Sequence, residues 1–126
     1  MVTKQLNGSV DDADLTRADS LAREIFSDIA NKWAFLIIET LGEETLRFSV
    51  LRNAIEGISH KMLTQNLRML ERNGLVGRTV HPTVPPRVEY RLTAPGLALR
   101  QTVSGMCDWT HTYIGQIEAS RRRFDD

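Results

Sequence analysis

The sequence predicts a mainly α-helical domain that carries one small β-hairpin. Apolar residues recur at helical spacing over most of the chain, and two short alternating segments, residues 75–80 and 87–92, flank a proline-rich stretch. The chain has 126 residues, of which 41% are hydrophobic and 25% charged, so it is long enough for one domain with an ordinary core. Because it contains a single cysteine, an intramolecular disulfide is excluded.

The first predicted elements are two helices. Residues 1–14 are polar and rich in aspartate, and we expect a flexible N-terminal tail there, ahead of a single domain over residues 15–126. The first helix is expected to start near Asp14 or Thr16. Its apolar face, with spacings of four and three residues, consists of Ala18, Ala22, Ile25 and Ile29. A second helix over residues 31–42 is apolar on nearly all sides, which predicts that it is central and buried.

Two further helices are predicted after a strand stub at residues 45–48. A short helix covers residues 49–55, and Gly57 then breaks the chain. Ser59 is a suitable N-cap for the next helix because its hydroxyl accepts a hydrogen bond from a free backbone N–H. Gly74 is expected to end that helix, since glycine readily adopts the left-handed conformation found at helix C-termini. The predicted inward positions are Ile58, Leu63, Leu67 and Leu70.

A β-hairpin and a long helix complete the chain. Proline does not fit a central strand, so the loop between the two alternating segments is expected to protrude as a stiff tip. The last helix is predicted from Thr93, with Pro95 in its first turn, to the basic run at residues 121–123. A helix pair followed directly by a hairpin is typical of a winged helix-turn-helix domain.

The net charge of zero hides an uneven distribution of charge. Residues 1–44 hold four Lys/Arg and nine Asp/Glu, whereas residues 45–92 hold eight and three. Residues 93–126 hold four of each. Because affinity for phosphate depends on local charge, nucleic-acid contacts are expected in the basic middle of the chain.

The helix that begins after Ser59 has one face suited to reading DNA. With the leucines turned to the core, the opposite face presents His60, Lys61, Thr64, Gln65 and Arg68. Such side chains near the N-terminus of a recognition helix meet base edges in the major groove. Ser59, Arg47 and Arg72 are candidate phosphate contacts. The alternative is a solvated helix face, which the adjoining hairpin and the local basic charge disfavour.

The proline-rich hairpin loop is the candidate wing. Its prolines limit the entropy lost on docking, and Arg87 lies where it could enter a minor groove. Arg78 and Arg91 are candidate contacts to the DNA backbone. Two alternatives stay open, namely a hairpin whose prolines only prevent edge pairing, and an Arg87 that is paired with Glu89 or Glu56.

Several short motifs occur in an order and spacing that together are specific, although each alone is weak. They are residues 31–33 (NKW), 47–51 (RFSVL), 57–64 (GISHKMLT), 67–76 (LRMLERNGLV), 84–90 (VPPRVEY), 92–96 (LTAPG) and 107–109 (CDW). With these motifs the sequence resembles the HxlR-type family of bacterial winged-helix regulators, relatives of the MarR type. The resemblance spans roughly residues 20–117 and implies a homodimeric transcription factor that binds double-stranded DNA, usually as a repressor.

The resemblance also bears on thiol chemistry. Many members carry a sensor cysteine in the first helix, at the position that is Ser20 here, and a hydroxyl forms neither a thiolate nor a disulfide. Thiol sensing of the usual family kind is therefore not expected. Cys107 is the candidate redox residue, but a small buried residue in the last helix is the favoured interpretation. A pair across a dimer axis, or a modifiable thiol, is the alternative.

Helices at both ends of the chain are expected to form a homodimer interface, because their apolar stripes exceed what one small domain needs for its own core. The predicted dimerisation residues are Ala18, Ala22, Ile25, Ile29, Met106, Trp109, Tyr113 and Ile117. The alternative is that Trp109 and Tyr113 pack on the first helix of the same chain. A two-fold dimer would read half-sites roughly 34 Å apart, which is one turn of DNA.

Other functional classes have less support. The three histidines lie far apart, and the sequence has no metal-ligand spacing, Gly-rich phosphate loop or nucleophile motif, so we expect no enzyme, metal or cofactor. No apolar run reaches the length of a membrane span, and the N-terminus lacks the apolar core of a signal peptide, which favours a cytoplasmic protein.

Two other functions stay open at this point. One is a winged helix used as a protein-interaction module, with the acidic first segment as its docking face. The other is a ligand-responsive or thiol-responsive sensor. Trp33 is a candidate lining residue for an effector pocket, although packing in the core is the favoured interpretation, and the identity of any small-molecule effector is open.

Overall fold

The computed structural model describes residues 12–126, and the predicted fold class is confirmed within them. The elements are α1 (Asp12–Ile29), α2 (Lys32–Leu41), β1 (Leu46–Arg47), α3 (Phe48–Ala54), α4 (His60–Arg72), β2 (Val76–His81), β3 (Arg87–Leu92) and α5 (Ala94–Asp125). The first helix is already formed at Asp12, the first described residue, which lies before the predicted start. Residues 1–11, most of the predicted tail, lie outside the described residues.

The three strands form one antiparallel sheet with β3 in the middle. β2 and β3 pair along their whole length, and His81 lies opposite Arg87 at the loop end. β1 pairs with the other edge of β3, where Arg47 lies opposite Glu89. The strand stub predicted at residues 45–48 is therefore a third strand, and it joins the start of α3 to the hairpin.

The hydrophobic core lies between α2, α3, α4 and the sheet. Four side chains of α2 are completely buried, which confirms its central position: Ala34, Ile37, Ile38 and Leu41. Leu36 on the outer side of the same helix is 42% exposed, so the helix is not buried on all sides. The inward positions predicted for α4 are also confirmed, since Leu63, Leu67 and Leu70 are all buried. Their burial fixes which face of α4 is left outside.

Side-chain caps fix where the helices begin and end. Ser59 Oγ accepts a hydrogen bond from the Met62 N–H at 3.0 Å, as predicted for the start of α4. Asn31 and Thr93 cap α2 and α5 in the same way. The chain leaves α4 through Gly74, whose φ of 74° confirms the predicted left-handed stop.

α1 and the second half of α5 extend away from the core. Ile29 at the end of α1 is buried, but Ala18 is exposed. From residue 105 onward every α5 side chain is exposed except Ile117 and Ala119, which are half-buried. No helix among residues 12–126 has the length and hydrophobicity that crossing a membrane requires.

Candidate nucleic-acid interface

α3 and α4 form the helix-turn-helix, and the predicted reading residues lie on the outer face of α4. Lys61, Gln65 and Arg68 are exposed, and Thr64 is half-buried beside the sheet. These side chains stand opposite the buried leucines, so the packing of the core determines their orientation. The face offers one ammonium, one amide and one guanidinium group for hydrogen bonds to base edges.

Ser59 and Arg72 lie at the two ends of this helix, and both are exposed. The Ser59 hydroxyl oxygen already accepts the bond from Met62, but its own proton is free to be donated. A phosphate oxygen near the start of α4 would accept that proton while the cap stays intact.

His60 has a packing role that the sequence did not predict. Its ring lies against the ring of Phe48, with centroids 4.8 Å apart and an angle of 50° between the planes. The contact joins the start of α4 to the start of α3. His60 is nevertheless exposed, so the ring joins the two helices and stays accessible to solvent.

A polar notch of about 420 Å³ separates α4 from the sheet. It is lined by Thr64, Leu67, Arg68, Glu71, Arg78 and Tyr90. Within it, Arg78 Nε lies 3.5 Å from Glu71 Oε2. This ion pair holds Arg78, a predicted contact to the DNA backbone, against the last turn of α4. Burial raises the pKa of the Tyr90 phenol, and Arg78 acts in the opposite direction.

The base of the wing carries a second charged cluster, centred on Glu89. His81 Nε2 lies 2.5 Å from Glu89 Oε1, and Arg87 Nε lies 3.9 Å from Glu89 Oε2. The hydrogen bond from His81 lowers the pKa of the Glu89 carboxyl, while Arg87 and Arg47 act in the same direction through their charge. Of the two partners considered for Arg87, the structure places Glu89 beside it.

A cleft of about 480 Å³ opens between the wing loop and the start of α3. Arg47 and Arg87 both line it, together with the side chains of Ser49 and Thr83. Val84 at the tip of the loop is fully exposed. The remaining candidate on the hairpin, Arg91, lies over Gly77 across the sheet, where a Cβ on the glycine would come within 2.7 Å of the guanidinium.

The predicted dimerisation residues divide between the two terminal helices. Met106, Trp109 and Tyr113 are 56%, 57% and 42% exposed, and the Trp109 and Tyr113 rings contact each other with centroids 6.0 Å apart. Both rings thus remain largely uncovered, so their packing on α1 of the same chain is not observed. Ile117 is half-buried beside them, as are Ala22 and Ile25 on α1.

Cys107 is exposed, so the favoured interpretation of a buried cysteine is wrong for the single chain. The physical reason is that α5 has already left the core at this point, since Val103 is its last buried side chain. Periodicity alone did not reveal where the helix leaves the core.

An apolar cleft of about 360 Å³ lies between α1, α2 and the middle of α5. It is lined by Phe26, Ile29, Ala30, Phe35, Leu99, Thr102, Val103 and Met106. Trp33 is not in this lining; it packs against the core, and Lys32 Nζ lies 4.5 Å from the centre of its ring. Among residues 12–126, no three His, Cys, Asp or Glu side chains are grouped to hold a metal ion.

Glu71 and Glu89 are the functional candidates that sequence reasoning did not place in the site. A signal for Glu89 was present in the hairpin, because a register with His81 opposite Arg87 makes His81 and Glu89 diagonal neighbours. For Glu71 no such local signal exists, since its partner Arg78 belongs to another element whose docking angle the sequence does not specify.

The chain is similar to known proteins over most of its length. The model of the HxlR-like helix-turn-helix family matches residues 28–118. The HTH-type transcriptional regulator YtfH of Escherichia coli strain K12 is 40% identical over 100 residues, which cover 79% of each protein.

Solved structures of transcriptional regulators are also similar to this chain. The structure of the transcriptional regulator ytfH from Salmonella typhimurium is similar with a TM-score of 0.70 and 39% identity, over 80% of this chain and 90% of that chain. The redox regulator HypR in its reduced form is similar with a TM-score of 0.70 and 33% identity, over 78% of this chain and 97% of that chain.

Proposed function

The chain belongs to the family of HxlR-like helix-turn-helix transcriptional regulators, and from this premise we propose that it represses transcription by binding a specific DNA sequence as a homodimer. The observation that carries the proposal is the exposed polar face of α4, whose Arg68 lines one notch together with Arg78 of the hairpin. Residues 12–126 then act as one DNA-binding domain with dimerisation helices at its ends.

In this proposal α4 lies in the major groove. Lys61, Thr64, Gln65 and Arg68 face base edges, and His60 approaches from the first turn. Arginine pairs well with the two acceptors of guanine, and glutamine pairs with adenine, so Gln65 and Arg68 are the proposed specificity residues. The buried leucines behind them keep the helix from rolling in the groove.

Contacts to the sugar-phosphate backbone surround this reading face. Ser59 and Arg72 mark the two ends of α4, and Arg47 lies at the start of α3. Arg87 and Arg78 belong to the hairpin, where the wing is proposed to follow the neighbouring minor groove. Contacts of this kind supply affinity and register, whereas the base contacts supply specificity.

The dimer is proposed to form through α1 and the outer part of α5. Trp109, Tyr113 and Met106 leave a large apolar surface uncovered in the single chain, and such surfaces on small proteins usually mark an interface. Two-fold symmetry would place two copies of α4 in successive major grooves, roughly 34 Å apart. A dimer bound across both grooves would block the access of other proteins to this stretch of DNA, and repression would follow.

The test is a DNA-binding titration. Fluorescence anisotropy compares a duplex from upstream of the protein's own gene with a random duplex, at two salt concentrations. Tighter binding to one duplex, with a steep loss of affinity at higher salt, supports a sequence-specific regulator. Should the two duplexes bind equally, selection from a random-sequence library follows, and failure to enrich any sequence would favour the protein-interaction module instead.

The exposure of Cys107 favours a second candidate, a regulator whose DNA affinity responds to thiol oxidation. A solved relative is named a redox regulator, although the family's sensor position is Ser20 in this chain. Treatment with diamide should then change the DNA affinity of the wild-type protein but not of Cys107→Ser. An equal response of both proteins would exclude Cys107 as the sensor.

A further inference from the structure

One carboxylate at the root of the wing faces an imidazole and two guanidinium groups, one group from each of the three strands. Glu89 on β3 lies 2.5 Å from His81 Nε2 of β2 and 3.9 Å from Arg87 Nε of its own strand. Arg47 of β1 is its cross-strand partner in the sheet register. The sheet therefore brings Arg47, from the neighbouring strand β1, and Arg87, two residues away on β3, to the same acidic group.

The same two arginines line the cleft between the wing loop and the start of α3. Two guanidinium groups that share a cleft repel each other unless an anion lies between or beside them. Glu89 supplies such an anion beside Arg87 and opposite Arg47 in the sheet. It also limits the freedom of Arg87, whose Nε is buried and has no hydrogen-bond partner within residues 12–126.

We propose that Glu89 is a positioning residue, which holds Arg87 and Arg47 on the two walls of this cleft so that both bind one phosphate group of the DNA backbone. The inference rests on the proposed function and adds to it the place and the partners of one backbone contact. Ser49, which also lines the cleft, would donate its hydroxyl proton to the same phosphate, whereas the Thr83 hydroxyl already donates to the Pro85 carbonyl oxygen at 2.8 Å.

A simple charge argument makes the opposite prediction for Glu89. Its carboxylate repels DNA, so its removal would tighten the binding of every duplex. If the carboxylate instead orders the arginines, its removal weakens DNA binding, because ordering the arginine side chains then reduces the free energy of binding. The two explanations therefore differ in the sign of the effect.

The experiment measures DNA affinity for Glu89→Gln and for the control Glu56→Gln. Glu56 is an exposed carboxylate in the turn between α3 and α4, so the control removes the same charge from within the helix-turn-helix. The probes are a duplex that the wild-type protein selects from a random library and a scrambled duplex of equal composition. We expect Glu89→Gln to weaken binding of the selected duplex on the order of three- to tenfold, a part of what losing an arginine contact costs. Because a phosphate contact does not depend on sequence, binding of the scrambled duplex is expected to weaken by a similar factor, whereas Glu56→Gln is expected to weaken neither.

A double-mutant cycle tests whether Glu89 acts through Arg87. In an Arg87→Ala background, Glu89→Gln should no longer weaken binding, whereas a general structural role would weaken it in both backgrounds. Glu89→Asp keeps the charge and is expected to restore part of the affinity. If thermal unfolding shows that Glu89→Gln is not folded, the DNA affinity of Glu89→Asp is compared with that of the wild-type protein instead.

The inference is overturned if Glu89→Gln binds the selected duplex as well as or better than the wild-type protein, or if its effect persists without Arg87. A wild-type protein that selects no duplex overturns the proposed function itself. The two failures are thus distinguished before any variant is measured.

Discussion

Asn73 Nδ2 donates a hydrogen bond to Asp28 Oδ2 at 3.1 Å, and this contact joins the end of α4 to the end of α1. The same amide also donates to the Met69 carbonyl oxygen within α4. The end of α1 is fixed in turn, because the Asp28 carbonyl oxygen accepts a bond from Asn31 Nδ2. The helix proposed to read DNA is therefore attached by a polar contact to a helix proposed to form the dimer.

Replacement of Arg68 tests the reading face directly. If Arg68 pairs with a guanine, Arg68→Ala should weaken binding of the selected duplex by about 1–3 kcal/mol and relax specificity at one base pair. Anisotropy titrations against the selected duplex and its single-base variants measure both effects. Unchanged affinity for the selected duplex would remove Arg68 from the reading residues.

Replacement of Arg87 tests the wing. If the guanidinium neutralises one phosphate, Arg87→Ala should weaken binding and reduce the slope of log affinity against log salt by about one. Arg100 is a suitable control, because it lies on α5 with its Nε 4.0 Å from Glu39 Oε1, away from the wing. A wild-type slope in Arg87→Ala would contradict the phosphate contact.

Trp109 tests the dimer. A buried tryptophan at an interface is a common hot spot, so Trp109→Ala should weaken self-association at least about tenfold, or about 1.4 kcal/mol. Sedimentation velocity over a range of protein concentrations gives the change. Val84→Ala serves as the control, since this side chain is fully exposed in the wing loop, outside both α1 and α5. Equal effects of both variants would argue against Trp109 as an anchor.

Gly96 lies where the first turn of α5 touches the chain after α4. A Cβ at this position would collide with the Leu75 carbonyl oxygen, so Gly96→Ala should destabilise the fold by about 1–3 kcal/mol. Gly105 on the same helix has open space around it, and Gly105→Ala should stabilise by up to about 1 kcal/mol through helix propensity. Urea unfolding of both variants measures the contrast, and equal changes would show that the contact is not tight.

The raised pKa of Tyr90 predicts how the free energy of unfolding changes at high pH. Burial raises the pKa of its phenol above the ordinary value of 10.0, so the folded state holds the proton more firmly than the unfolded chain. Its contribution is fully present below pH 10.0 and is lost as the pH rises through the higher pKa of the folded state. Tyr90→Phe lacks this loss. Urea unfolding from neutral to alkaline pH should therefore show a shallower decline for the variant, and parallel curves would contradict the assignment.

The parts of the fold that follow from local rules were predictable. The cap at Ser59 and the stop at Gly74 need only the chemistry of one residue and its neighbours. The inward set Leu63, Leu67 and Leu70 needs only the helical period. These features were sufficient to place the reading face of α4, because its outer side is what the leucines leave uncovered.

The parts that depend on how elements dock were not predictable. The His60 ring packs on Phe48, and Arg78 pairs with Glu71, only because α4 approaches α3 and the sheet at particular angles. Cys107 was expected to be buried because an apolar period continues along α5, but a continuing period does not show whether the chain's own core or another surface covers it.

The length of α5 has a geometric consequence for the proposed dimer. With 32 residues the helix is about 48 Å long, yet Gly96 and Val103 are the residues that it buries in its own domain. If the part beyond Val103 binds the partner, the helix is a rigid spacer between the DNA-binding head, which consists of α3, α4 and the sheet, and the symmetry axis of the dimer. One residue inserted after Val103 would turn the head by about 100° relative to that axis, while seven would return it to within about 20°. The number of residues in one helix would thereby set which two stretches of DNA the paired heads face at once.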